Sequence, residues 1–265
     1  MRYGYSTSRF PDHALPVAIE LLQKIGYAAI SIRLDARSLD PRPGNAMLPS
    51  QLAGIMDALD ESTAVVLDTD ARFLLDPRDP YGPSLTDTTE SATSDLRFDL
   101  IYRTIEVAKR WNDATVVFSS GPPPLETQSD EQLERLSQQI ARLTEHARER
   151  GVTICLRPWT SHTIASIGQF ERLLQWLESP LDLASDITVM SRNSELPIML
   201  KLTRHMSRLC AIYIDESPGI DRMAIVERLI EEGYSGTLIV GASDEQSDPV
   251  EAATCEFERC QTFSL

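Results

Sequence analysis

The sequence predicts an α/β fold, a single (β/α)8 TIM barrel that occupies residues 1–265. Short apolar runs typical of strands alternate with segments of helical periodicity, as eight strand-then-helix units. Such alternation favours parallel strands joined by right-handed crossovers. A length of 265 residues suits one such barrel, whereas the rival doubly wound sheet usually has fewer units in this length.

The first half of the chain supplies four of these units. A strand at Tyr3–Thr7 precedes a helix in which apolar residues recur at helical spacing from Ala14 to Ile25, and Gly26 suits its end. The following elements, in order, are a strand at Ala28–Leu34, a helix at Pro49–Leu59, a strand at Ala64–Leu67, a helix at Leu96–Trp111, a strand at Thr115–Phe118 and a helix at Asp130–Arg150. Asp130 suits the N-cap of the last of these helices, and Gly151 suits its C-terminal end.

The second half repeats the pattern to the end of the chain. Its elements are a strand at Val152–Leu156, a helix at Ile167–Leu177, a strand at Leu181–Ala184, a helix at Leu196–Met206, a strand at Leu209–Ile214, a helix at Arg222–Glu232, a strand at Thr237–Val240 and a helix at Pro249–Cys260. Two long loops, 69–95 and 119–129, follow strands and therefore lie at the C-terminal face of the barrel. That face holds the active site in barrels of this kind.

The charge of the chain limits its partners. Asp and Glu number 40 against 25 Lys and Arg, a formal net charge of −15, which disfavours binding to a nucleic-acid backbone. No run approaches 18 apolar residues, so no membrane span is expected. The residues Met1–Ser6 do not resemble a signal peptide.

The four cysteines do not form a metal or disulfide pattern. None belongs to a CxxC pair, and Cys155 and Cys210 lie in apolar runs, so we expect them to be buried free thiols. A reducing, cytoplasmic location fits this expectation.

Several segments carry a family resemblance. The ten residues Asp68–Pro77, DTDARFLLDP, are similar to a Glu-Thr-Gly-Ala-Arg-Phe-Leu-Leu-Asp-Pro segment, and Glu232–Gly236 is similar to a lead-in to an eighth strand. With the opening strand, helix and second strand, these segments resemble the sugar phosphate isomerase/epimerase superfamily, the xylose isomerase-like barrels. The Lys-His pair that usually follows the first segment is absent here.

The resemblance implies a metal-dependent reaction. In that family a divalent ion, Mg²⁺, Mn²⁺ or Co²⁺, stabilises an enediolate while carboxylates move the proton. The usual ligands are a Glu after strand 5, an Asp after strand 6, a His on strand 7 and a Glu at the end of strand 8. In this chain those positions carry Arg157, Asp186, Tyr213 and Gly241, so Asp186 is the one metal ligand retained.

These replacements change the charge of the expected metal site. Losing two carboxylates and gaining a guanidinium shifts the local charge by about +3 at neutral pH. We therefore expect Arg157 to pair with Asp186 where the metal would lie. The four histidines of the chain also argue against the trinuclear-zinc endonucleases that share this fold.

The candidate site residues follow predicted strands. The candidate catalytic residues are Asp186, Arg157, Asp215 and Glu216. The candidate substrate-binding residues are Asp68, Arg72, Trp159, His162, Tyr213 and Ser243. Carboxylates suit proton transfer and polyol binding, Arg72 suits an anionic group, and Trp159 suits stacking on a sugar ring.

Three functions stay open on the sequence. The first is a diverged isomerase/epimerase-like barrel that binds a small polar, sugar-like ligand without a metal cofactor, as a pseudoenzyme or within an assembly. The second is an active isomerase or epimerase whose Mn²⁺ or Mg²⁺ has relocated to ligands such as Asp186, Asp215, Glu216 and His162. The third is metal-free acid–base chemistry by Arg157, Asp186 and Asp68.

Overall fold

Eight parallel strands close into a barrel, which confirms the predicted fold class. The computed structural model describes residues 1–70, 72–86, 96–123, 129–241 and 248–262. Each strand pairs with the next in the chain, and the last pairs with the first. The strands are β1 Arg2–Ser6, β2 Ala29–Arg33, β3 Ala64–Asp68, β4 Thr115–Phe118, β5 Thr153–Leu156, β6 Asp182–Asp186, β7 Leu209–Asp215 and β8 Thr237–Gly241.

Helices connect the strands around the outside of the barrel. They are α1 Leu15–Ile25, α2 Leu48–Ala58, α3 Leu96–Ala108, α4 Ser129–Glu149, α5 Ile167–Leu174, α6 Ile187–Arg192, α7 Ile198–Arg204, α8 Arg222–Glu231 and α9 Pro249–Gln261. Gly151, at a φ of 67°, ends α4 as predicted, because the next amide, that of Val152, donates to the Ala147 carbonyl at 3.0 Å. Within the described ranges no helix is long and apolar enough to cross a membrane.

The region after β6 differs from the prediction. Instead of one helix at Leu196–Met206, the chain forms the short helix α6 directly after the strand and then the separate helix α7. Six residues are fewer than two helical turns, so α6 leaves no readable periodicity in the sequence. Asp186 is both the last residue of β6 and the N-cap of α6, and its Oδ1 accepts from the Val189 amide at 3.0 Å.

Two sets of apolar side chains hold the fold together. The larger set packs the outer faces of the strands against the helices. A smaller set fills the inside of the barrel and consists of Val66, Val117, Cys155, Ala184, Ala211 and Ile239. Because side chains on a strand alternate between its two faces, the next inward-facing positions lie two residues further along each strand. They form the floor of the C-terminal face and carry Asp68, Ser119, Arg157, Asp186, Tyr213 and Gly241.

The expectation of free thiols at Cys155 and Cys210 is wrong. The two residues are joined by a disulfide between β5 and β7, whereas Cys255 and Cys260 are free. The strand between them, β6, shifts its pairing register with β7 at Leu183–Ala184, beside the two sulfurs. The strand order places β5 and β7 on either side of β6, so the sheet brings together residues 55 positions apart, and no local spacing in the sequence indicates such a pair.

Candidate functional site

A cavity of about 420 Å³ opens at the C-terminal ends of the strands. Parallel strands all end at this face, so the residue that ends each strand, or follows it, can reach the cavity. Seven predicted site residues line it: Asp68, Arg72, Arg157, Trp159, Asp186, Tyr213 and Asp215. The structure therefore brings together predicted side chains from four strands, β3, β5, β6 and β7, or from the segments that follow them.

Arg157 lies at the centre of the floor and is buried, with 4% exposure. Its guanidinium donates from Nη1 to Asp68 Oδ2 at 2.9 Å, and from Nη2 to Asp68 Oδ1 at 3.1 Å and Asp70 Oδ2 at 2.8 Å. Burial opposes the charge on Arg157, but the two carboxylates outweigh it and raise the pKa of the guanidinium well above its ordinary value. Three carboxylate oxygens thus hold one permanent cation in a fork geometry.

Asp70 joins this ion pair to the wall of the barrel. Its carboxylate also lies 3.6 Å from Arg97 Nη1, and it accepts a hydrogen bond from Ser119. Burial raises the pKa of the Asp70 carboxyl, but Arg157 and Arg97 outweigh burial and lower that pKa to about 2. Asp68, Asp70, Arg97 and Arg157 are therefore linked to one another as two acidic and two basic side chains.

Two aromatic rings flank the guanidinium of Arg157. Its Cζ lies 4.5 Å from the centre of the Tyr213 ring and 5.1 Å from the centre of the Trp159 ring. These distances are in the range of cation–π contacts, which favour a charged group over a ring face. The rings restrict the motion of the guanidinium and give the cavity an apolar wall beside its charged floor.

The expected ion pair between Arg157 and Asp186 is absent from the described contacts. Arg157 instead pairs with the aspartates that follow β3, because Asp186 turns its carboxylate to the N-terminus of α6. Burial raises the pKa of the Asp186 carboxyl, and the charge of Arg157 opposes that rise only in part. Asp186 is therefore a carboxyl group in the cavity with a lowered tendency to ionise.

The two carboxylates at the end of β7, Asp215 and Glu216, lie in different surroundings. Asp215 lines the cavity and accepts from Arg9 Nη2 at 2.9 Å, whereas Glu216 is exposed and acts electrostatically on Arg259 of α9. Gly241, beside Asp215 in the sheet, leaves room for this ion pair, because a Cβ built on Gly241 would collide with Asp215 Oδ1. The predicted use of Asp215 and Glu216 at one centre does not match this arrangement.

His162 lies behind the cavity. It lines a separate cavity of about 160 Å³ and contacts the ring of Tyr81 edge-on at 5.4 Å between centroids. Neither ring nitrogen makes a hydrogen bond within the part of the chain that the structure describes. Burial lowers the pKa of His162 to about 4, so the imidazole is neutral at pH 7. The predicted residue Ser243 lies outside the described residues.

Replacing His162 with phenylalanine is expected to flatten the acid dependence of stability. Between pH 6.5 and 4 the unfolded chain binds a proton that the folded chain, with a His162 pKa of about 4, does not bind. The wild type therefore loses stability as the pH falls through this window, by up to about 3 kcal/mol, and H162F lacks that loss. Urea unfolding of both proteins at steps from pH 7 to pH 4 measures the difference. Parallel stability curves for the two proteins would contradict the assignment.

The residues at the floor of the cavity do not fit a divalent metal. Such an ion prefers carboxylate or imidazole ligands, and a guanidinium has no lone pair to offer. Of the positions that the family resemblance assigns to ligands, Arg157 is itself a cation, Tyr213 faces it, and Gly241 has no side chain. Within the described ranges, no three His, Cys, Asp or Glu side chains form a group that could hold a metal ion.

The residues of the site that the sequence did not predict include Arg9, Arg33, Tyr81 and Arg97. Arg33 ends β2 and Arg9 closes the turn after β1, so their places at strand ends are a signal that could have identified them. Arg97 lies in the first turn of α3, and Tyr81 lies in an irregular segment after β3. Nothing in the local sequence distinguishes these two from surface residues.

Comparison with family models gives a match over most of the chain. A family model described as a xylose isomerase-like TIM barrel matches residues 19–258. None of the curated proteins matches the sequence.

Solved structures share the fold at low identity. A 3-keto-D-glucoside 4-epimerase from E. coli has 16% identity and a TM-score of 0.76, with 99% of each chain covered. A D-tagatose 3-epimerase-like protein has 15% identity and a TM-score of 0.77 over 100% of this chain and 98% of that chain. A D-allulose 3-epimerase from Methylomonas sp., in complex with D-allulose, has 16% identity and a TM-score of 0.71 over 99% of this chain and 96% of that chain. At identities this low, the structural likeness shows that the fold is shared.

Proposed function

The chain belongs to the xylose isomerase-like TIM-barrel family, and on that premise we propose that it binds a small, polar, sugar-like ligand at the C-terminal face of its barrel without a divalent metal. In this proposal it is a diverged relative of the sugar isomerases and epimerases. The binding site is the cavity above Arg157.

One observation carries the proposal. Arg157, where the family resemblance expects a glutamate ligand, is held by both oxygens of Asp68 and by Asp70. The positive charge that a metal would bring is thus supplied by the chain, and its carboxylate partners are already engaged. A second cation at this position would be repelled by Arg157.

The rest of the cavity suits a polyhydroxy compound. Asp186, Ser6 and Ser8 offer oxygen atoms for hydrogen bonds, and Trp159 and Tyr213 offer ring faces for the C–H groups of a sugar. A pocket of about 420 Å³ is in the range that holds small molecules. That an epimerase of the same fold has been solved with D-allulose bound supports a sugar-like ligand here.

Calorimetric titration with a panel of ketoses, sugar acids and sugar phosphates tests this function. We expect at least one to bind equally well with EDTA and with added Mn²⁺. We expect Trp159→Ala to weaken that binding about tenfold. Trp176→Ala is the matched control, because Trp176 is 44% exposed and does not line the cavity. Binding that requires Mn²⁺ would overturn the metal-free proposal and favour relocated ligands.

A second candidate function is metal-free proton transfer, favoured by Asp186. Its half-buried carboxyl lines the cavity, and burial raises its pKa above the ordinary value, the direction that suits a group that exchanges protons. The prediction is a turnover with a bell-shaped pH profile that chelators do not change. Asp186→Asn should then abolish turnover and retain ligand binding, whereas binding without turnover in the wild type leaves the first function alone.

A further inference from the structure

We infer that the ligand carries a negatively charged group, a carboxylate or a phosphate on a polyhydroxy chain, which Arg33 and Arg72 bind at the mouth of the cavity. This inference rests on the proposed function and names the chemical class of its ligand. It follows from counting which charges of the cavity are already paired.

Most charges of the cavity are paired within the protein. Four arginines and four aspartates line it: Arg9, Arg33, Arg72, Arg157, Asp68, Asp70, Asp186 and Asp215. Arg157 pairs with Asp68 and Asp70, and Arg97 from outside the cavity adds the charge that balances them. Arg9 pairs with Asp215 at 2.9 Å. Each of these two sets contains equal numbers of acidic and basic side chains.

Two guanidinium groups remain. Neither Arg33 nor Arg72 makes an ion pair or a side-chain hydrogen bond to another residue within the described ranges, and both are exposed. Arg33 ends β2 beside Asp68 in the sheet, and Arg72 lies over the ring of Tyr81, 5.6 Å from its centre. Both therefore stand on the β2–β3 side of the opening, above the buried ion pair.

Asp186, the one remaining carboxyl, does not neutralise them. Its Oδ1 is bound to the Val189 amide at the N-terminus of α6, where the helix dipole offsets negative charge. Asp186 also lies on β6, and the ion pairs of Arg157 with Asp68 and Asp70 separate it from the β2–β3 side. Among the residues that line the cavity, Arg33 and Arg72 therefore leave an excess of positive charge on the β2–β3 side, although the chain as a whole has a net charge of −15.

These two arginines favour an anionic group at the mouth of the cavity, although the protein as a whole is acidic. Guanidinium groups bind carboxylate and phosphate oxygens through paired, charge-assisted hydrogen bonds. In many barrels a phosphate binds near the seventh and eighth strands. In this chain the cavity lining at that side holds the closed Arg9–Asp215 pair. The anionic group is thus assigned to the opposite part of the rim, with the hydroxyl groups of the ligand pointing toward Trp159 and Asp186.

Calorimetry with three probes tests the inference: D-fructose, D-fructose 6-phosphate and D-gluconate. We expect the phosphate or the carboxylate compound to bind at least tenfold more tightly than the neutral sugar, and the two anionic probes distinguish the sources of charge. Arg33→Met and Arg72→Met should each lower the ratio of anion affinity to D-fructose affinity about tenfold, and the double variant about 100-fold. Arg37→Met is the matched control, because Arg37 is exposed and does not line the cavity.

The outcomes separate this inference from the proposed function. Equal affinity for D-fructose and the anions, or an anion preference that survives in the double variant, overturns the inference and leaves the proposed function standing. Binding of inorganic phosphate as tight as that of D-fructose 6-phosphate also overturns it, since the polyol would not be recognised. If none of the three probes binds, with or without Mn²⁺, and the wider panel also fails, the proposed function falls as well.

Discussion

Replacing Arg157 with methionine is expected to lower the free energy of unfolding by about 3–5 kcal/mol. The variant removes the partner of Asp68 and leaves two buried carboxylates, of which Asp70 retains Arg97 and Ser119. The cost of leaving a charge buried and unpaired exceeds the cost of lost packing, because methionine keeps most of the side-chain volume. Urea unfolding at pH 7, followed by far-UV circular dichroism, measures the change.

Two further variants make that measurement specific. The double variant R157M/D68N removes the unpaired charge together with its partner, so we expect it to be more stable than R157M alone. Arg148→Met removes an exposed ion pair with Glu145 and should change stability by less than about 1 kcal/mol. If R157M and R148M were equally stable, or if D68N failed to rescue R157M, the buried ion pair would not have the role assigned to it.

Replacing Arg157 with glutamate is expected to make the fold depend on a divalent cation. The R157E variant gathers three carboxylates at the floor of the cavity, with Asp186 nearby, and such a group repels itself unless a cation binds. In EDTA we expect R157E to be less stable than R157M. A Mn²⁺ concentration 100 times its dissociation constant should restore about 2.7 kcal/mol.

The wild type and a neutral variant are the controls for this experiment. Millimolar Mn²⁺ should leave the melting temperatures of the wild type and of R157Q unchanged, because one retains the cation and the other adds no ligand. Where R157E fails to fold in EDTA, its refolding yield with and without Mn²⁺ gives the same comparison. A wild type that Mn²⁺ stabilises, or an R157E variant that Mn²⁺ does not, would contradict the idea that Arg157 stands in for the metal.

The fold could be predicted because its strands and helices are regular. Apolar residues such as Ile30 and Ile32 recur at the spacing of the element that contains them, and eight repeats leave few topologies. The position of the site followed from the same regularity, because parallel strands place their last residues at one face. Arg157, Asp186 and Tyr213, each near the end of its strand, do line one cavity there.

The partners of these residues could not be predicted in the same way. Arg157, directly after β5, reaches Asp68 at the end of β3, two strands away, because Asp186 is engaged by an unpredicted helix. Contacts across a closed barrel depend on side-chain length and on which acceptors are already occupied. The disulfide of Cys155 and Cys210 is a second case, since it depends on a local shift of strand register.

The covalent attachment of the Arg157 guanidinium has a consequence for cellular metal supply. A bound ion exchanges with its surroundings, and sites of carboxylate and imidazole are open to capture by whichever competing ion binds more tightly, such as Cu²⁺ or Zn²⁺. A charge on a side chain is part of the protein, so it cannot dissociate and a competing ion cannot displace it. If the site is metal-free as proposed, manganese starvation or zinc excess would leave the floor of this cavity in the same charge state.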